Sequence, residues 1–192
     1  MSETQTASRT VEGVTLPPVG TYAIDKVHSD LSFVARHLMV AKVRGHFRSF
    51  EGTIEVAEVP EESRVTATID AASVDTNEPN RDNHIRSADF LDAEHYPTIT
   101  FESTGLVRTG GTTFDLPGLL TIRGITHPVT LHAEFNGVTE HPQMGTRIGL
   151  SATTEVARDD WGVSFNAALE TGGFMVSKTI RLELEVQATA QH

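Results

Sequence analysis

Nine histidines and twenty-six carboxylates give this 192-residue chain ample material for metal or acid–base chemistry. A metal site needs ligands that converge, such as a histidine pair at i, i+2 on a strand or i, i+4 on a helix. His28, His37, His46, His84, His95, His127, His132, His141 and His192 contain no such pair, so solvated or capping histidines are expected and no metal or cofactor. With no cysteine, thiolate catalysis, Cys-based zinc sites and disulfides fall away together. There is no Gly-x-Ser-x-Gly elbow and no glycine-rich phosphate cradle. One polar cluster stands out, Arg158-Asp159-Asp160 before Trp161-Gly162. Its simpler reading is a salt-bridged turn; the sharper one makes Arg158 and Asp160 ligand contacts near a mouth, together with His46.

Composition narrows the partners. Fifteen basic against twenty-six acidic residues give a formal charge of −11. Nucleic acid and anionic membrane surfaces attract clustered Lys and Arg, so neither is expected as the main partner. No run of about 18 apolar residues could span a bilayer as a helix. Residues 1–18 are polar, close on Pro17-Pro18 and lack a secretory leader's apolar run. They read as a flexible tail before a single domain over 19–192, and the expected location is cytoplasmic.

The elements that would position any site are strands. Val65, Ala67 and Ile69 alternate with Arg64, Thr66, Thr68 and Asp70, and Val129, Leu131, Ala133 and Phe135 alternate with Thr130, His132 and Glu134. Ile180, Leu182, Leu184 and Val186 face away from Arg181, Glu183, Glu185 and Gln187. Phe47 stands out of step with Phe50, Ile54 and Val56, which predicts a bulge between Phe47 and Phe50. One helix is expected over about 81–91, from Ile85, Ala88 and Leu91, ahead of the stop at Pro97. About eight strands, each with one apolar face, favour an all-β antiparallel barrel with a short helical insert; an open sandwich competes. Inward aromatics share their faces with Ala35, Gly52, Ala67, Ala133 and Ala152. Periodicity alone leaves open whether the interior is hollow or filled.

Several segments resemble one known family. Thr21-Tyr22-Ala23-Ile24-Asp25 with His28-Ser29 resembles the opening strand and turn of the YceI-like, lipocalin-type barrels, and Gly45-His46-Phe47 resembles their third-strand start. Asn83 to Phe101 resembles their helix, Asp-Phe pair and Tyr-Pro-Thr-Ile strand, and Leu120 to Thr126 with Pro128-Val129 their late hairpin. Leu91 departs from the aromatic usual after Asp89-Phe90, and the tail before Gly20 replaces the leader of many relatives.

The resemblance implies an extended eight-stranded lipocalin-like barrel with an apolar channel. Its implied ligand is a polyisoprenoid, an isoprenoid quinone or another long-chain amphiphile, and it implies transport or storage rather than catalysis. Alternation and resemblance together predict a lining of Phe33, Phe47, Val65, Ile69, Phe101, Leu120, Ile122, Phe135 and Leu150, with Trp161 and Phe165 as further contacts. An enzyme acting on such a lipid and a filled-barrel interaction module are the alternatives. The sequence leaves homodimer formation open.

Overall fold

A computed structural model describes residues 8–11, 13–170 and 172–191. The strands run in chain order as β1 (Arg9–Val11), β2 (Val14–Leu16), β3 (Gly20–Ile24), β4 (Asp30–His37), β5 (Ala41–Phe47), β6 (Phe50–Val56), β7 (Arg64–Asp70) and β8 (Val74–Asp75). After helix α1 (Pro79–Arg86) come β9 (Thr98–Ser103), β10 (Val107–Arg108), β11 (Thr113–Ile122), β12 (Ile125–His141), β13 (Gly145–Ala157) and β14 (Thr179–Ala190). Every named pairing is antiparallel.

The sheet closes on itself. Its ring runs β14-β13-β12-β11-β9-β7-β6-β3 and returns to β14. β3 and β4 lie end to end along one edge of β14, Tyr22 opposite Ala190 and Leu31 opposite Leu184. β5 and β6 are likewise two halves of one stave, β5 beside β4 and β6 beside β3. Counting each interrupted pair once gives an eight-stave closed barrel, which leaves few free edges to protect.

Three sequence-based expectations change. The parity slip between Phe47 and Phe50 is a break between two strands at Arg48-Ser49, not a bulge within one. A bulge does occur elsewhere, between Phe135 and Gly137 of β12. Part of the supposed tail forms the β1–β2 hairpin; residues 1–7 and Glu12 of that segment lie outside the described residues. The helix is shorter and earlier than expected. Glu78 caps it by accepting from the N–H groups of Asn80 (3.2 Å) and Arg81 (2.6 Å), with Pro79 supplying a preset first turn. Asp82 is buried and accepts from the Thr76 N–H (2.8 Å) and Oγ1 (2.6 Å), which ties α1 to the preceding segment.

Two apolar clusters fill the barrel. One gathers Ile99, Phe101, Leu116, Leu120, Leu131, Val156, Trp161 and Val163. The other gathers Tyr22, Ile54, Phe135, Ile148 and Ala188. Tyr22 satisfies its buried hydroxyl by donating to the Pro18 carbonyl at 2.8 Å. Burial, with Glu140 adding to it, pushes that phenol up to about 12.

Candidate functional site

Between the two clusters lies a cavity of about 170 Å³. Alternation builds its wall: Phe114 and Leu116 of β11, Leu131, Ala133 and Phe135 of β12, Ile148, Leu150 and Ala152 of β13, and Leu184 and Val186 of β14 point inward. Ile24, Ile54, Val56 and Val65 complete the far side. Val14, Leu16 and Pro17 bring the N-terminal hairpin to the same wall. Arg9 anchors that hairpin by donating to the carbonyls of Glu58 and of Ala57, the latter at 2.6 Å.

The lining is almost wholly apolar. Its ionisable members are Arg9 and Arg108, and it contains no His, Lys, Asp or Glu among the described residues. Neither guanidinium is suited to trade a proton at neutral pH, so the described residues of the wall supply no general acid or base.

The predicted site residues separate into three places. Val65, Phe135 and Leu150 stand on the cavity wall. Phe101, Leu120 and Trp161 are buried in the neighbouring cluster, with Ile69, Ile122 and Phe47 packed against it. Phe33 and Phe47 contact each other with ring centroids 5.8 Å apart. Glycines let these rings lie against the sheet: a Cβ at Gly45 would sit 2.2 Å from the Phe33 ring, and one at Gly118 would sit 2.5 Å from Phe101. Three of the predicted lining residues thus border this cavity, and the others pack beside it in the first cluster or, for Phe33, against Phe47.

The polar candidates are brought to neither the cavity nor one another. Arg158 is buried and donates to the carbonyls of Val163 (2.5 Å), Phe165 (2.9 Å), Ser177 (2.9 Å) and Val176 (3.5 Å). It stitches the long 158–178 segment together. Burial lowers its pKa, with the neighbouring Asp159 opposing the shift. Asp160 is exposed, and its carbonyl accepts from His127 Nε2 at 2.9 Å. Trp161 Nε1 donates to the Leu120 carbonyl at 3.0 Å. Phe165 is part-exposed beside His84 and Phe90, and His46 Nδ1 pairs with Asp30 at 2.7 Å.

Aspartates take up other histidines too: His28 with Asp25, His84 with Asp89, His95 with Asp92, and His132 with Asp115, all at 2.7–2.8 Å. No three metal-ligating side chains converge among the described residues. Sequence reasoning missed the hairpin's contribution, because Val14 and Leu16 are isolated apolar residues in a polar run. It also missed Phe114, whose strand contains Pro117 and Gly118 and shows little alternation.

An antiparallel barrel enclosing an apolar cavity is thus the class of molecule. The YceI-like domain family matches residues 22–188, and the chain belongs to it. A UPF0312 protein of Staphylococcus aureus strain N315 is 38% identical over 169 residues, covering 86% of this chain and 95% of its own. Among solved structures, Burkholderia cenocepacia BcnA superposes with a TM-score of 0.75 at 23% identity, covering 86% of this chain and 99% of its own. A Campylobacter jejuni YceI protein gives 0.71 at 28%, with 82% and 90% covered. A polyisoprenoid-binding domain of Saccharophagus degradans gives 0.70 at 18%, with 88% and 98% covered. The hairpin β1–β2 lies outside the family-matched residues.

Proposed function

We propose that this protein binds the chain of an amphiphilic lipid, an isoprenoid or isoprenoid quinone, and carries or stores it in the barrel cavity. The observation that supports this reading is an interior space walled by apolar side chains, with no His, Lys, Asp or Glu facing it among the described residues. Such space exchanges water for hydrocarbon at a gain of about 0.8 kcal/mol per methylene. A polyisoprenoid ligand is attributed to the Saccharophagus degradans domain of the same fold, which makes this ligand class the first to test. The enzyme alternative is disfavoured because Asp160 and His46 stand away from the cavity.

Organic extraction of the purified protein, followed by mass spectrometry, should recover a prenyl-chain lipid. Protein stripped of it should take up a prenyl quinone, and Ala133→Phe or Ala152→Phe should weaken uptake at least tenfold by filling the cavity. Overpacking of this kind costs about 1–3 kcal/mol of stability, so circular dichroism should still report a folded barrel. Failure to recover or take up any prenyl lipid would overturn the reading. Appearance of a chemically altered quinone on chromatography would convert it to an enzyme.

A further inference from the structure

Far from the cavity, the β4–β5 hairpin and the 163–178 loop meet at the other end of the barrel. The Leu38 N–H donates to the Met175 carbonyl at 2.8 Å, the Ser177 N–H donates to the Arg36 carbonyl at 2.9 Å, and His37 bridges to Val176. Large apolar side chains crown this junction and face water. Val40 is 81% exposed, Met39 51%, Phe174 42%, Leu38 40% and Met175 37%. Contiguous apolar exposure of this kind marks an interaction surface.

Charge around it runs against the rest of the molecule. Overall the chain is strongly acidic, at −11. Yet residues 31–50 contain Arg36, Lys42, Arg44 and Arg48 and no Asp or Glu, and residues 172–182 contain Lys178 and Arg181 and no acid. Arg36 and Lys42 are direct cross-strand partners on the outward face of β4–β5, and both are exposed. Neither has an ion-pair partner among the described residues. Like charges directly opposite each other repel and destabilise the pair. The acids that do approach are already engaged: Asp159 with Lys178 at 3.4 Å, and Glu183 with Arg44 at 2.6 Å and Arg181 at 3.0 Å. Glu170 is exposed and follows Leu169, whose N–H donates to the Gly173 carbonyl at 3.1 Å, so one carboxylate borders the Phe174 side of the patch, away from Arg36 and Lys42 in sequence.

From this geometry we infer that the end of the barrel formed by Leu38, Met39, Val40, Phe174 and Met175 docks on an anionic bilayer surface. Apolar tips enter the headgroup layer while Arg36 and Lys42 meet lipid phosphates. No described helix is long and apolar enough to span a membrane, so the attachment is peripheral. Each Lys or Arg near an anionic surface contributes about 1 kcal/mol, or about fivefold in partition. The inference stands apart from what the cavity holds.

Flotation of the full chain with vesicles of phosphatidylcholine containing 30% phosphatidylglycerol tests it. Binding is expected to these vesicles, to be much weaker with pure phosphatidylcholine, and to fall as salt rises. Met39→Asp and Val40→Asp should each reduce partition at least tenfold. Met39 has a positive φ of 61°, a conformation Asp tolerates, so that substitution respects the turn. Lys42→Glu, on a solvent-facing strand position, should reduce binding by about tenfold or more without lowering the melting temperature, since it also replaces the like-charge pair with Arg36 by an opposite-charge one. Absence of vesicle binding, or binding indifferent to all three substitutions, would overturn the inference. So would light scattering that shows a dimer dispersed by Val40→Asp, since the face would then be a self-interface.

Discussion

Asp25 gathers several partners where β3 ends: the Val27 N–H at 3.0 Å, His28 Nδ1 at 2.8 Å, Arg147 Nη1 at 3.3 Å and Gln187 Nε2 at 3.4 Å. The His28 hydrogen bond, above all, holds its carboxyl below the ordinary value of 3.8; partial burial opposes it. A carboxylate with a depressed folded pKa stabilises the native state above its unfolded value, and that contribution is lost as pH falls through the folded one. Asp25→Asn should therefore lower the melting temperature at neutral pH and flatten its fall below pH 3.8, as read by thermal denaturation across an acid series. Arg158 makes a different prediction. Its planar fork reaches several carbonyls that a lysine ammonium cannot serve together. Arg158→Lys should cost roughly 1.5–3 kcal/mol in urea unfolding, with prenyl-lipid affinity unchanged because the residue is remote from the cavity wall.

At the scale of elements, strict alternation made β7, β12 and β14 legible, because one buried and one wet face leave a period-two trace that survives any barrel geometry. The helix was legible as an element but not in its bounds, since Glu78 and Pro79 start it before the apolar residues that announced it. Which inward residues border the cavity was not legible at all. Phe33 and Phe101 show the same inward alternation as Phe135, yet the first two lie over Gly45 and Gly118 away from the cavity wall and the third borders it. That outcome depends on ring placement across strands distant in sequence. The N-terminal hairpin was hidden for a related reason: three residues per strand carry too few apolar positions to show a period. Its placement makes it part of the container. A chain shortened to begin at Pro18 should release bound prenyl quinone at least tenfold faster in stopped-flow exchange, while the closed ring of strands keeps its melting temperature within a few degrees.

For the molecule as a whole, cavity size sets a length scale. The cavity of about 170 Å³ is finite, and its walls bound the length of chain that fits without rearrangement. Affinity should climb with chain length at about 0.8 kcal/mol per methylene and then level off near that length. A homologous series of prenyl or alkyl alcohols, titrated by calorimetry, should show the break. A steady rise well beyond it would mean that Phe114, Phe135 and the neighbouring cluster yield to extend the space.

Closure by β14 has a consequence for how the molecule is made. Its partners β3 and β4 are among the earliest parts of the chain, with Ala188 opposite Ile24 and Leu184 opposite Leu31. Contacts this distant in sequence form late and slowly. Of the eight staves it is made after the others, so a chain in which it has not yet paired leaves the barrel open between β13 and β3. A hydrophobic passenger present during synthesis can be enclosed as the last strand zips shut, without ever having to thread a finished wall. Cells that produce the protein in the absence of its lipid would then yield more aggregate and the same native barrel. The difference would lie in partitioning during biogenesis rather than in final stability.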